Sequence, residues 1–437
     1  MIRACRELGL RTVAIYSEAD QGALHTELAD EAYPVGPAPA RRSYLHIPSI
    51  MNVVTQSGAD MVHPGYGFLA ENAAFSSVCR LWGVQFVGPA PASIERMGVK
   101  AQARETMRLA GVPVVPGSEG VVGSIDEART VAERIGYPLI VKASAGGGGR
   151  GIRIVQAGGE LEGALERAAS EALQSFGDGS VYLEKFLEDP RHIEIQVIAD
   201  RHGRVAALGE RESSLQRRRQ KLLEEAPSTA VDAALRFRME EAARQAAIAV
   251  DYENAGTVEF LLDKSGAFYF MEMNTRIQVE HGVTELVTGV DIVKEQLRVA
   301  LGEPLDLPGD HVPIVGHAIE CRINAEDPAQ DFRPSPGTIT AFDPPGGFGV
   351  RADFGVRQGS QVTSYYDSMV GKLMAWGRSR DESVARMRRA LLEMRLEGVA
   401  TTIPLHLALL EDEDFRAGRI DINFLERRLA AGLGRSA

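Results

Sequence analysis

Six polar residues between Glu259 and Glu280 hold the densest chemistry in this chain: Glu259, Glu272, Asn274, Arg276, Gln278 and Glu280. Two apolar runs flank Lys264, Ser265 and Gly266, the pattern of a β-hairpin. A two-residue turn at Ser265 and Gly266 places Glu259 directly opposite Glu272, and carboxylates facing each other across strands repel. A cation between them removes the repulsion. Magnesium suits the place, because it takes one or two carboxylates plus substrate phosphates rather than a closed protein cage. Strand alternation gives Asn274 the same face as Glu272, which completes an oxygen ligand set. Arg276, Gln278 and Glu280 keep that parity, so one strand face reads Glu-Asn-Arg-Gln-Glu, too polar for a core and too ordered for a loop. The alternative is an exposed hairpin with solvated acids.

A second site of chemistry is the glycine loop after Lys142, with Gly146, Gly147, Gly148, Gly149 and Gly151. Tandem glycines let backbone N–H groups approach phosphate oxygens closely. The spacing of Gly146, Gly148 and Gly151 matches a dinucleotide fingerprint, but that motif needs a helix straight after the loop, and here a strand pattern follows. No Gly-Lys-Ser/Thr ends the loop, so it is not a P-loop. It reads as a flap between strands, closing over phosphates, with Lys142 at its root. The segment Val181 to Leu187 contains the pair Glu184 and Lys185, a strand-linker able to offer backbone groups to a purine edge. His192 leads the next strand. Gln216 and Lys221 bracket a run of three arginines, followed by Glu224 and Glu225. Such a charge run ordinarily marks a solvated face, although Gln216 and Lys221 could reach phosphate or a small anion. Asp353-Phe354-Gly355 has no His-Arg-Asp loop ahead of it and is read as coincidence.

The elements that position these residues alternate helix and strand. Residues 1–97 carry strand patterns at 11–16, 61–63 and 84–87 with helices between, the signature of a parallel sheet with covered faces. A second domain, 98–318, contains a capping box at Ser124 to Glu127, the flap, and a helix over 233–250 ahead of the hairpin. Its mobile lid covers about 114–186. A third domain, 319–437, has an α+β pattern that includes a helix near 382–396. The chain of 437 residues is 44% apolar and 25% charged, with no run long enough to span a membrane, so it is expected to be soluble. A net charge of −12 argues against nucleic acid as a partner. Cys5, Cys79 and Cys321 are widely separated and have no metal spacing, which suits a reducing cytoplasm. Cys321 is expected to be a buried thiol.

Taken together, these motifs resemble biotin carboxylase, a family of the ATP-grasp superfamily. The stretches that carry the resemblance are HPGYGFLAEN (63–72), KASAGGGGRG (142–151), EKFLEDPRHIEIQV (184–197), EMNTRIQVEH (272–281), ECRINAEDP (320–328) and YYDSM (365–369). The resemblance implies an α/β fold with an N-terminal parallel-sheet domain, an ATP-grasp domain with a glycine-rich lid, and an α+β C-terminal domain. It implies that Lys100, Lys142 and His192 contact the nucleotide phosphates, with Gly147 and Gly148 in the flap. Glu184, Lys185 and Leu187 match the adenine linker, and Gln216 a nucleotide or substrate contact. Glu259 and Glu272, with Asn274, match the magnesium ligands. Lys221, Arg276, Gln278 and Val279 match the bicarbonate pocket. Glu280 matches the general base, and Arg322 the arginine that steadies the biotin enolate.

The implied cofactors are ATP, one or two magnesium ions for which manganese can substitute, and biotin supplied on a carrier protein. The implied partners are the biotin carboxyl carrier protein and carboxyltransferase subunits, around a homodimer in the cytoplasm. The expected role is the first half-reaction of acetyl-CoA carboxylase, in fatty acid synthesis. Alternatives are the equivalent subunit of another acyl-CoA carboxylase, an ATP-grasp carboxylate–amine ligase, or a non-catalytic ATP-binding scaffold. Four departures from the family pattern stand out. The chain starts inside the family's first helix, so the first strand is expected to be missing. Val99 stands where Asp is usual, Arg219 where His is usual, and Gly282 where Pro is usual.

Overall fold

The computed structural model describes residues 1–143 and 152–433. The glycine loop, with Gly147 and Gly148, lies outside the described residues. Two compact units emerge. One comprises Met1–Val112, Arg191–Phe260 and Glu272–Ala437; the other comprises Pro113–Pro190 and Leu261–Met271.

The larger unit is built on strands that take part in one eight-stranded sheet. Its order is Phe268–Asn274, Asn254–Leu262, Arg191–Ala199, Val205–Arg217, Gln220–Ala226, His317–Asn324, Met369–Gly377 and Val350–Phe354. The inner strands are buried along nearly their whole length, as expected for a sheet covered on both faces. Helix Ala233–Ala249 packs on Arg191–Ala199 and Val205–Arg217 through Met239, Ala242, Ala243, Ala246 and Ala247, a small-residue stripe at helical spacing. Asp232 starts that helix by accepting the N–H of Leu235 at 2.8 Å, a cap worth about 1 kcal/mol. Helix His281–Thr288 lies on the strand His317–Asn324, and helix Arg380–Glu393 on Met369–Gly377. The strand His317–Asn324, read from sequence as the start of a third domain, pairs directly with Gln220–Ala226.

At the start of the chain two parallel pairs form, Val13–Ser17 with Glu31–Gly36 and Met61–Val62 with Gln85–Phe86. Helices Ile47–Ser57 and Ala73–Leu81 supply Ile50, Met51, Val54 and Phe75 to the core beside them. The strand Glu31–Gly36 was not evident in sequence, because Pro34 and Gly36 sit inside it and both weaken a strand pattern.

The smaller unit contains an antiparallel sheet ordered Ile152–Val155, Leu139–Ala143, Val181–Lys185. Helices Ile125–Ile135 and Leu161–Phe176 pack against its buried Leu139, Val141 and Leu183. Half of the capping box forms as read, Ser124 Oγ accepting from Glu127 N; the return bond goes one residue further back, Glu127 Oε2 accepting from Gly123 N at 2.8 Å rather than from Ser124 N. Among the described residues no helix is long and apolar enough to cross a membrane. All three cysteines are free, and Cys321 is fully buried.

Candidate active site

Two details of the Glu259–Glu280 region differ from the sequence reading. Asp263 closes the hairpin turn: its N–H donates to Ala267 O at 2.8 Å, and its Oδ1 accepts from Ser265 N, Ser265 Oγ and Ala267 N. The turn is therefore three residues long, not two, and the direct Glu259–Glu272 pairing does not follow from it. The buried residues of the second strand run Phe268, Phe270 and then Met273, so the alternation slips by one near Met271. Asn274 reaches the face of Glu259 after that slip: its Nδ2 donates to Glu259 Oε1 at 2.8 Å. The strand also ends at Asn274. Arg276, Gln278 and Glu280 lie on an irregular segment, not on a strand face, and Glu280 is the N-cap residue of helix His281–Thr288. They still converge, since Arg276 donates to Gln278 Oε1 and to Asn274 Oδ1, each at 3.1 Å.

Lys221 is the hub. Its Nζ lies 2.5 Å from Glu194, 2.7 Å from Glu280 and 2.9 Å from Glu259. The three carboxylates are buried, and the ammonium is nearly so. Arg322 holds the other oxygen of Glu280 at 2.8 Å and reaches Glu224 at 2.7 Å through Nε. Glu280 thus sits between an ammonium and a guanidinium. Burial alone would raise its pKa; Lys221 and Arg322 outweigh burial and hold the carboxyl well below the usual range. Glu259 follows the same logic, with burial opposed by Lys221 and then His192, whose Nε2 is 2.9 Å away. Burial would also lower the Lys221 pKa, but Glu194, Glu280 and Glu259 together drive it upward. Glu224 goes the other way: burial pushes it up to about 8.

His192 is tied to Gln216, their side chains 2.7 Å apart, and Gln216 also donates to Ser213 O. Lys100 stands 3.3 Å from Glu272, and both side chains are exposed to solvent. In the smaller unit, Lys142 bonds to the Glu184 carboxylate, and Lys185 Nζ donates to Tyr137 O at 2.8 Å. Leu187 follows that strand, outside the regular ladder.

Glu194 and Arg211 were not evident in sequence as part of this cluster, and Glu224 and Glu225 are not where their charge run suggested. Glu194 binds both Lys221 and the fully buried Arg211, whose guanidinium also donates to Gln196, Thr284 and Thr257. The alternation His192, Glu194, Gln196 along an otherwise apolar strand was the available signal. Glu224 and Glu225 follow a charge run that suggested a solvated face, yet both are fully buried. Glu225 is paired with Arg380 and hydrogen-bonded to His317.

Three family profiles match consecutive segments: the biotin carboxylase N-terminal domain over residues 1–94, the ATP-binding domain of the carbamoyl-phosphate synthase L chain over 99–307, and the biotin carboxylase C-terminal domain over 320–427. Biotin carboxylase 1 of Bacillus subtilis is 54% identical, over 98% of this chain and 95% of that one. This chain belongs to the biotin carboxylase family. A pyruvate carboxylase subunit of Methanothermobacter thermautotrophicus is also 54% identical, over 98% of this chain and 87% of its own length. Among solved structures, the biotin carboxylase domain dimer of the Hydrogenobacter thermophilus 2-oxoglutarate carboxylase, in complex with MgADP, ADP and bicarbonate, superposes with a TM-score of 0.87. It is 48% identical and covers 98% of this chain and 94% of its own. As a biotin carboxylase the chain is an ATP-grasp ligase, an enzyme of ATP-dependent carboxylation.

Three departures from the family pattern fall on described residues. Val99 precedes helix Lys100–Leu109 and provides no side-chain cap. Arg218 and Arg219 form the two-residue turn between Arg217 and Gln220, both at positive φ, a backbone better suited to Asn or Gly. Arg218 is tied there by Glu426 and Asp331. At Gly282 an added Cβ would lie 2.2 Å from Met374 Sδ, so Met374 fills the space a side chain would take. Gly282→Ala is expected to destabilise by about 1–3 kcal/mol, the usual cost of overpacking. Met374 is fully buried, so Met374→Ala is itself costly, but in urea melts the two losses should fail to add, the double variant losing less than the sum of the singles. If the single variant melts like wild type, Met374 is not confined as described.

Proposed function

We propose that this protein carboxylates biotin on a carrier protein, using ATP and bicarbonate through carboxyphosphate. The observation that carries the reading is the Glu280 carboxylate held between Lys221 and Arg322. Bicarbonate is a poor electrophile near neutral pH, and phosphorylation activates it. Lys221, Arg276, Gln278 and the Val279 backbone would bind the anion. Glu280, held ionised by its cations, would take the bicarbonate proton as its oxygen attacks the γ-phosphate. Lys100, Lys142, His192 and Gln216 would hold the phosphates, and Glu184, Lys185 and Leu187 the adenine. Carboxyphosphate would yield carbon dioxide and phosphate, and phosphate would remove the N1 proton of biotin. Arg322 would then steady the enolate, a fixed cation where negative charge develops.

Glu259, Glu272 and Asn274 offer two carboxylates and an amide oxygen, a hard-donor set that fits magnesium. When bound there with ATP, the ion supplies charge neutralisation at the phosphates. Glu272→Gln is expected to raise the magnesium needed for half-maximal activity about tenfold or more, since interactions with a charged group are worth about 1.5–3 kcal/mol. Its fold should be intact, because Glu272 is exposed and its neighbour Lys100 is solvated. An unchanged magnesium titration would remove Glu272 from the ligand set.

The acceptor we favour is acetyl-CoA, on partner carboxyltransferase subunits, in fatty acid synthesis in the cytoplasm. A 2-oxo acid acceptor is the second reading, favoured by the equal identity to the pyruvate carboxylase subunit. A homodimer is proposed on the likeness to the dimeric Hydrogenobacter domain. The test of the reaction is ATP cleavage by the purified protein. It should require bicarbonate and rise with free biotin; cleavage indifferent to both would favour another ATP-grasp ligase.

A further inference from the structure

Residues 275–280 carry Arg276, Gln278 and Glu280 without a strand ladder to fix them. An irregular segment that holds functional side chains still needs partners for its backbone. Thr275 N–H donates to Glu71 Oε1 at 2.9 Å, and Glu71 Oε2 accepts from Arg276 Nε at 2.9 Å. Arg276 itself donates to Ile277 O at 3.2 Å, and His281 N–H and Val283 N–H face the carbonyls of Gln278 and Glu280. The Val279 carbonyl accepts from Lys372 Nζ. Ile277, 1% exposed, anchors the middle in the apolar core beside helix Ile292–Ala300.

Lys372 is itself unusual. It is 5% exposed and stands on the strand Met369–Gly377, opposite Arg322 on one side and Asp353 on the other. Its nearest counter-charge is Glu320, at 3.6 Å. Glu320 is fully buried, and neither of its carboxylate oxygens has a hydrogen-bond partner among the described residues. A buried lysine beside a buried carboxylate is costly to keep. What Lys372 delivers is one fixed point, the carbonyl of Val279, next to Glu280. Glu71 delivers the matching point at the other end, and by gripping Nε it leaves the two terminal nitrogens of Arg276 for Asn274 and Gln278.

We propose that Glu71 and Lys372 are positioning residues that clamp residues 275–280 from both ends, so that Arg276, Gln278 and Glu280 face bicarbonate in reactive geometry. The proposal rests on the bicarbonate pocket proposed above. Neither residue touches substrate; each acts through the segment it holds. Misplacement by about 1 Å can cost about 100-fold in a positioned reaction.

The experiment measures bicarbonate-dependent ATP cleavage for wild type, Glu71→Gln, Lys372→Met and Lys372→Arg, with KM for bicarbonate and for ATP determined separately. Glu71→Gln and Lys372→Met should each lower kcat/KM for bicarbonate by about 10- to 100-fold, with KM for ATP held within about twofold. Lys372→Arg should recover part of that loss, since it can still donate to Val279 O. Urea melts run alongside. Equal losses toward ATP and bicarbonate that track a drop in stability would make the residues merely structural and overturn the clamp. So would unchanged bicarbonate kinetics. If Lys372→Met fails to fold, Glu71→Gln decides alone, its side chain being half exposed at the surface end of the segment. A wild-type protein with no bicarbonate dependence would instead overturn the proposed function, which the first arm shows before any variant is compared.

Discussion

Glu280→Gln is expected to cut bicarbonate-dependent ATP cleavage about 100-fold or more, the range for losing a positioned general base. KM for ATP should change little, because among the described residues the ion pairs of Glu280 are with Lys221 and Arg322. Glutamine keeps the shape and can still accept a hydrogen bond, but it cannot take the proton. The same substitution removes the charge that draws Lys221 and Arg322 together, so the bicarbonate-independent rate is a useful control. Turnover within a few-fold of wild type would take the base role away from Glu280.

Lys221→Met should have the largest effect on stability. Methionine matches the aliphatic stem but leaves Glu194, Glu259 and Glu280 buried around an absent cation. Removing one partner of a buried pair costs about 3–5 kcal/mol, and Arg211, Arg322 and His192 offset only part of it. The pH dependence has a definite sign. In wild type, the Glu259 and Glu280 pKa values lie below their unfolded value. Their contribution is therefore complete above about pH 4.3, the unfolded Glu value, and is lost as pH falls through the folded values. In the variant, losing Lys221 moves those pKa values upward. The folded variant then binds more protons than folded wild type, and its deficit shrinks as pH falls. The deficit against wild type, read from urea midpoints, should be larger at pH 8 than at pH 5.5. A deficit that is small, or the same at both values, would mean that Lys221 does not balance these acids. Activity should be lost in either case.

The membership of this cluster was legible because residue type and close spacing survive any error in local structure. Glu259, Glu272, Asn274, Arg276, Gln278 and Glu280 were picked out on a strand parity that slips near Met271 and ends with the strand at Asn274. Beyond it they converge through Arg276, whose side chain bridges Asn274 and Gln278. The turn length was misread because Asp263, placed with the apolar run, bonds back into the turn through its own carboxylate. Burial of charge was the least legible quantity. Lys221 finds Glu194 from 27 residues away and Glu280 from 59, and no local pattern records such distances. Glu224 and Glu225 looked like the solvated end of a charge run for the same reason: Arg322, Arg380 and His317, which pair with them, arrive from a different part of the chain. The large sheet was visible only in pieces. Its strands His317–Asn324 and Arg191–Ala199 were clear as apolar runs, but Val205–Arg217 and Gln220–Ala226 were hidden by their arginines and glutamates.

Whether this protein carboxylates biotin is decided by incubating it, purified, with ATP, magnesium, free biotin and radiolabelled bicarbonate, and following label in carboxybiotin. Acid-labile label is expected that needs both ATP and biotin, forms alongside phosphate, and falls about 100-fold in Glu280→Gln. Phosphate release with no labelled carboxybiotin, at any biotin concentration, would contradict it.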